Sequence, residues 1–430
     1  MRRYGLSTVL SAASCIIGKI KPFCEIDDLT GVLNLRALRS DLLHVGNVAM
    51  ALININSFST INNAYGAESG DLLLKNFCNI IFKNIPDNAT VYRCYGDEFA
   101  IVFKTDSILQ AEEFAKQIDS CLSFLAIKIG DIELKISVSI GIAYGSKEEL
   151  LKMASIALME ARISKKVFSR YVEGSELERK IQKIFYWQSR LKDALIDGHL
   201  TLFYQPLLNN HSGKIDKFES LIRLRHDGNI VLPFEFLDAA REGGLLSSVT
   251  RVIIAESFRN FSKNDYSFSV NITEQDLQDS NFIDFIEKKL ELNNIDPSRV
   301  YFELLEGISA DVAHNSLETL KQIKKMGCKL SVDDFGTEHS NFRRLLELEV
   351  DLIKIDGSFI KNLDKCDISR KIVRSVISFS RSIGAMTAAE FVHSKEIQNI
   401  VLDMGVDYSQ GYYIGIPTSK VEIKLDEAFI

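Results

Sequence analysis

Eight short apolar runs, most of them separated by stretches of helical periodicity, follow Asp197-Gly198. They are Thr201–Gln205, Phe218–Leu224, Ser267–Ile272, Val300–Leu304, Lys329–Asp333, Leu352–Asp356, Met386–Glu390 and Tyr408–Ile414. Strand and helix alternating eight times over residues 198–430 predict a (β/α)8 barrel, a fold that gathers the ends of its strands at one mouth. Polar residues stand where that mouth would be. Asn271, Glu303, Asp333, Asp356 and Glu390 each fall at or near the end of an otherwise apolar run, where a buried carboxylate is costly without a partner or a metal.

With Glu219 and Asp334 these residues offer an oxygen-only ligand set: Glu219, Asn271, Glu303, Asp333 and Asp334. Such a set suits hard divalent ions, Mg²⁺ or Mn²⁺, whereas zinc or copper would normally recruit His or Cys. The adjacent Asp333 and Asp334 could serve two ions, an arrangement that activates water and stabilises phosphoryl oxygens. Lys354, inside the apolar run Leu352-Ile353-Lys354-Ile355, needs a carboxylate or water and is a candidate to position a nucleophile. Glu390 is a candidate general base. A purely structural Lys354–Glu390 ion pair is the alternative for these two.

The front of the chain has a different texture. Residues 23–170 mix strand-like runs (Val48–Ile55, Glu98–Phe103, Leu134–Ala143) with helical ones (Gly70–Phe82, Leu109–Phe124, Leu150–Val167), predicting an α+β domain with a largely antiparallel sheet. Ser175 and Glu178 form a capping-box signature for a connecting helix within 171–197. Residues 1–22 read as an amphipathic lead-in helix, although Met1-Arg2-Arg3, the apolar stretch Leu6–Ile17 and Ala12-Ala13-Ser14-Cys15 have the look of a leader.

Charge and cysteine content narrow the partners. A net charge of −7 disfavours long nucleic acids, though not a small phosphorylated ligand. Seven cysteines without a CxxC pair fit reduced thiols in a cytoplasm. No other apolar run approaches the roughly 20 residues that span a bilayer.

The motifs also carry a family resemblance. Phe218-Glu219-Ser220-Leu221-Ile222-Arg223, Val270-Asn271-Ile272-Thr273, Phe302-Glu303-Leu304-Leu305-Glu306, Asp333-Asp334-Phe335-Gly336-Thr337, Lys354-Ile355-Asp356-Gly357-Ser358-Phe359-Ile360, Ala389-Glu390 and Gln410-Gly411-Tyr412 resemble the EAL domain, in order, over residues 198–418. The resemblance implies a barrel that hydrolyses cyclic di-GMP to linear pGpG with two Mg²⁺ or Mn²⁺ ions. It also implies Glu219, Asn271, Glu303, Asp333 and Asp334 as ligands, Lys354 orienting water and Glu390 as base. Gln205, Arg223 and Gln410 would hold the ligand, Glu306 would anchor a loop, and a homodimer is implied. Departures from the pattern are Ser220 in the signature, Leu305 for a threonine, Glu338 for a glycine in the loop after the fifth strand, and Phe391 and His393 for a glycine and a glutamate. They leave open an alternative, a silent cyclic di-GMP sensor or protein-interaction module.

Residues 26–36, then Phe58, Asn62, Gly66, Gly70-Asp71, Tyr95-Gly96-Asp97-Glu98-Phe99 and Ser137-Val138-Ser139-Ile140-Gly141, resemble the GGDEF diguanylate cyclase domain. Here Asn54 takes the place of a metal-binding Asp and Tyr95 that of the first signature glycine, so a degenerate, regulatory or dimerising domain is expected. Pro86-Asp87-Asn88-Ala89 stands where an RxxD feedback site would be. Asn62 and Asp71 match guanine-contacting positions and leave GTP as a possible ligand.

Overall fold

The computed structural model describes residues 23–124, 126–129, 132–305, 314–336 and 342–421, and falls into two units divided between Ile181 and Gln182. The expectations for the lead-in helix, Glu306 and Glu338 lie outside the described residues. Among the described residues, no helix is long and apolar enough to cross a membrane.

In the first unit the strands are β1 (Leu33–Asn34), β2 (Val48–Ile55), β3 (Ala89–Arg93), β4 (Glu98–Phe103), β5 (Ile127–Ile129), β6 (Ile132–Leu134), β7 (Val138–Gly145) and β8 (Phe168–Arg170). Six of them form one sheet in the order β1-β3-β4-β2-β7-β8, antiparallel through its centre and parallel only at its two edges. β5 and β6 pair as a separate hairpin, so the single run expected over Leu134–Ala143 is broken before Val138. β2 shows why its sequence is apolar throughout: all eight of its residues are buried. Ala49, Ala51, Ile53 and Ile55 face one core with helices Ala67–Asn84 and Leu109–Phe124, and Val48, Met50 and Leu52 face a second with helices Leu35–Leu42 and Lys147–Ile163. Gly141 lets the last of these helices close on β7, since a Cβ there would lie 2.1 Å from the Ala154 carbonyl oxygen.

Helix Glu176–Asp197 begins as its sequence suggests. Ser175 Oγ accepts from Glu178 N at 3.2 Å, while the Glu178 carboxylate accepts from Gly174 N at 2.9 Å and Tyr171 Oη at 2.9 Å, capping the turn one residue earlier than a reciprocal box would.

The second unit contains β9 (Leu200–Asn209), β10 (Lys214–His226), β11 (Asn229–Val231), β12 (Ser267–Asn271), β13 (Val300–Leu305), β14 (Lys329–Phe335), β15 (Leu352–Ile355), β16 (Met386–Ala389) and β17 (Tyr408–Gln410). Eight of these close into a barrel, β9-β10-β12-β13-β14-β15-β16-β17 and back to β9, with β11 added at the far edge of β10. One strand departs from the all-parallel pattern: β9 runs antiparallel to both β10 and β17. The cause is local, because only Asn210–Gly213 join β9 to β10, a hairpin too short for the crossover that parallel pairing requires.

Alternation along the barrel strands separates two environments. Val300, Phe302 and Leu304 face the outer core under the helices, while Tyr301 joins Leu207, Leu352, Ala388 and Tyr408 inside the barrel. Continuing two residues along the same face, Tyr301 is followed by Glu303, Leu352 by Lys354 and Tyr408 by Gln410. The interior therefore changes from apolar to charged toward the C-terminal ends of its parallel strands.

Candidate active site at the barrel mouth

Lys354, on β15, is the centre of the charged layer. It is 1% exposed, and its Nζ lies 2.8 Å from Glu390 Oε1, 2.9 Å from Asp333 Oδ1, 3.2 Å from Glu219 Oε2 and 3.4 Å from Glu303 Oε2. Burial works against its charge, but the four carboxylates overcome that penalty and hold its pKa well above the usual lysine value. The carboxylates come from three strands and the end of a fourth: Glu219 on β10, Glu303 on β13 and Asp333 on β14, with Glu390 directly after β16; Glu303 pairs with Ser331, two residues before Asp333, so the acids step along the strands.

Amides complete the floor. Gln410 Nε2 donates to Glu219 Oε2 at 2.6 Å and to Gln205 Oε1 at 3.3 Å, and Asn271 Nδ2 donates to Glu219 Oε1 at 3.3 Å. With its nitrogen so engaged, Asn271 has its carbonyl oxygen to offer a cation. Glu303 Oε1 is buried without a hydrogen-bond partner, and burial, only partly offset by Lys354, lifts this carboxyl to about 8. Asp334 has a left-handed backbone, φ 54°, and its carboxyl is raised to about 6 by burial and by Asp333 and Asp356.

Two groups of carboxylates bring ligand oxygens within 4.8 Å of one another: Glu219, Glu303 and Asp333, and then Asp333, Asp334 and Glu390. Asp333 belongs to both. This geometry and its hard-oxygen chemistry fit a pair of divalent cations sharing a ligand.

A cavity of about 450 Å³ opens beside this layer, lined by Gln205, Glu219, Glu390 and Gln410 on its charged side and by Leu221, Phe391 and Tyr412 on its apolar side. Arg223 is not among its lining residues. The Arg223 guanidinium lies 5.4 Å from the Phe203 ring and donates to the Ile222 carbonyl at 2.8 Å, with its pKa lowered by burial. Sequence reading missed Asp356 as a site residue, although its strand-end position was the signal: it lines the cavity and hydrogen-bonds Asp334. It also missed Lys217, whose Nζ is buried without a hydrogen-bond partner, 3.6 Å from the Tyr301 ring centroid and 4.3 Å from that of Tyr408. Burial lowers this lysine to about 7.

Among its described residues, the first unit offers no such centre. Asn54, at the end of β2, is 6% exposed and hydrogen-bonds Asp97, so an amide satisfies the signature carboxylate where a second acid would have called for a cation. The signature turn is fastened from outside: Arg93 donates to the Gly96 carbonyl at 2.7 and 2.9 Å and pairs with Asp27 at 2.9 Å. Tyr95 is 58% exposed. Among the described residues, trios of metal-ligand atoms occur only in the barrel. Asn62 and Asp71 lie on successive helices, Phe58–Tyr65 and Ala67–Asn84. Gly70 is fitted against Asn62, since a Cβ there would stand 1.8 Å from Asn62 Oδ1, an oxygen that is buried without a partner.

Comparison with known proteins finds two domains. Residues 188–417 match the EAL domain model, and residues 24–166 match the model of the diguanylate cyclase GGDEF domain. The chain is a member of the EAL family. It carries a GGDEF domain in front of the EAL domain. It is 30% identical over 410 residues to the cyclic di-GMP phosphodiesterase PdeB of Shewanella oneidensis, covering 91% of this chain and 48% of that protein. It is 27% identical over 385 residues to the bifunctional diguanylate cyclase/cyclic di-GMP phosphodiesterase MucR of Pseudomonas aeruginosa, covering 86% and 55%. The chain thus spans about half the length of the curated relatives it matches. A solved MucR phosphodiesterase in complex with cyclic di-GMP covers 54% of the chain and 97% of that structure at 27% identity and TM-score 0.52. The S helix-GGDEF-EAL structure of Vibrio cholerae LapD, 17% identical, covers 95% of the chain and 98% of that structure with TM-score 0.52, and shares the fold.

Proposed function

We propose that the barrel hydrolyses cyclic di-GMP to linear pGpG, that two Mg²⁺ or Mn²⁺ ions bind at its mouth, and that the GGDEF domain in front of it is an inactive, regulatory cyclase fold. The observation that carries this reading is the charge balance at the mouth. Glu219, Glu303, Asp333, Asp334 and Glu390 set five carboxylates against the single ammonium of Lys354, a formal excess of four negative charges that two divalent cations would neutralise.

Glu219, Asn271, Glu303, Asp333 and Asp334 would hold the ions. When bound, the ions supply the positive charge that activates a water and offsets the phosphoryl oxygens in the transition state. The chain's own groups do the rest. Lys354, kept charged by its carboxylates, orients the water through Nζ. Glu390, whose pKa burial pushes well above the usual carboxylate value, receives the water's proton as one phosphodiester P–O bond breaks. Gln205 and Gln410 would steady Glu219 and the ligand, with Arg223 as a further ligand contact. Helix Glu176–Asp197 would be the connector between the domains, a homodimer the assembly, and GTP at Asn62 and Asp71 a regulatory ligand.

A second reading is a binding protein without turnover. It draws on Lys354, whose ammonium already engages four of the carboxylates that would otherwise face a cation. Chromatography of cyclic di-GMP incubated with the full chain and Mg²⁺ or Mn²⁺ separates the two. Accumulating pGpG that EDTA suppresses supports the phosphodiesterase, whereas bound but intact cyclic di-GMP supports the second reading.

A further inference from the structure

Phe391 is held in a conformation that its own chemistry resists. Its φ is 56°, in the left-handed region where a bulky side chain is a genuine outlier, and such outliers persist at sites where the surroundings over-determine them. Burial does not compensate for the strain, because the residue is 52% exposed.

The surroundings are shaped for the ring nonetheless. A Cβ on Gly357 would lie 2.8 Å from Phe391 Cβ, although Gly357 itself has no left-handed φ. Glycine is therefore required at 357 for room and not for conformation. Lys361 Nζ stands 5.2 Å from the Phe391 ring centroid, within the range of a cation–π contact. Directly after Glu390, Phe391 lines the cavity together with Leu221 and Tyr412, and Tyr412 is 75% exposed. Exposed aromatic side chains beside a carboxylate-rich, phosphate-handling centre match the two halves of a nucleotide, a planar base and a charged phosphate.

We propose that Phe391 is a base-stacking specificity residue, its ring taking a purine base of the ligand while the neighbouring carboxylate layer handles the phosphodiester. The assignment rests on the nucleotide reading of the same cavity. Loss of a base stacked on an aromatic ring corresponds to roughly 5- to 150-fold in affinity.

Phe391→Gly separates this role from a structural one, because glycine adopts φ 56° without strain. The expected result is a rise in thermal midpoint together with about tenfold higher KM and Kd for cyclic di-GMP, with a smaller change in kcat. Phe391→Trp should restore the affinity. An unchanged KM in Phe391→Gly, or a fall in thermal midpoint with no loss of affinity, overturns the inference. Saturation-transfer NMR with GMP and UMP on the full chain in Mg²⁺ supplies a readout that does not depend on hydrolysis. A preference for GMP that Phe391→Gly abolishes sustains the stacking role even where cyclic di-GMP is not cleaved, in which case the phosphodiesterase reading alone fails. Equal signals from GMP and UMP, or a GMP preference that survives in Phe391→Gly, overturn it.

Discussion

The two signature regions of this chain solve the same problem in opposite ways. At the barrel mouth, four carboxylates surround one lysine, Asp334 stands next to Asp333, and an excess of negative charge is left. At the GGDEF turn, Asn54 hydrogen-bonds Asp97, and Arg93 and Asp27 fasten the turn as an internal salt bridge. A region that satisfies its own polar groups has little use for a cation, while one that leaves carboxylates facing each other in a buried layer is poised for one. The difference lies in a few side chains, Asn54, Arg93 and Asp27 against Glu219, Glu303, Asp333, Asp334 and Glu390.

The largest expected effect falls on the barrel side. Lys354→Met should abolish turnover and, without added metal, destabilise the barrel by about 3–5 kcal/mol, because it strands carboxylates that had a buried partner. Added Mn²⁺ should recover much of the lost thermal midpoint in calorimetry. An ion-independent loss would mean that the lysine, and not a cation, is what the cluster is built for.

The next prediction concerns the other region. The full chain with GTP and Mg²⁺ should form no cyclic di-GMP, and Asp97→Ala should leave that unchanged. Product that disappears on Asp97→Ala would erase the contrast between the two regions.

Two smaller effects sharpen it. Lys217, buried between two tyrosines, differs from Lys354 in lacking a carboxylate partner. Lys217→Met should therefore be neutral or raise stability, by up to a few kcal/mol, when unfolding is followed through Trp187, the chain's single tryptophan. In the first unit, Asp27 has a pKa held below its ordinary value: burial raises it, but hydrogen bonds from Thr30 and Arg93 overcome that. A depressed carboxylate stabilises the fold above its unfolded pKa, near 3.9, and loses that contribution as pH falls through the folded value. Asp27→Asn should cost about 1–2 kcal/mol at pH 7 by circular dichroism, with the gap to wild type closing below pH 4.

Much of this was legible from the amino-acid order. Val48–Ile55 and Glu98–Phe103 read as strands and are strands, because apolar runs of only eight and six residues are too short for a typical helix and suit a strand buried on both faces. The carboxylates at strand ends foretold a shared mouth, since a barrel brings such ends together wherever they lie in the chain. The reversed first strand was not read, although Asn210-His211-Ser212-Gly213 is a hairpin signal, because counting strand and helix alternation does not reveal direction. Lys217 was missed because a lysine after Asp216 at a strand start reads as a solvated edge, and the tyrosines that enclose it come from β13 and β17. The left-handed backbone of Phe391 is a tertiary outcome that local propensity opposes.

The most direct test of the account compares wild type with Glu219→Ala, both shown to be folded, for conversion of cyclic di-GMP to pGpG in Mn²⁺. The account predicts steady pGpG formation by the wild type and a loss of at least a hundredfold, on the order of magnitude expected for removing a group that holds the transition-state charge. Equal rates in the two proteins, or no pGpG from the wild type, would contradict it.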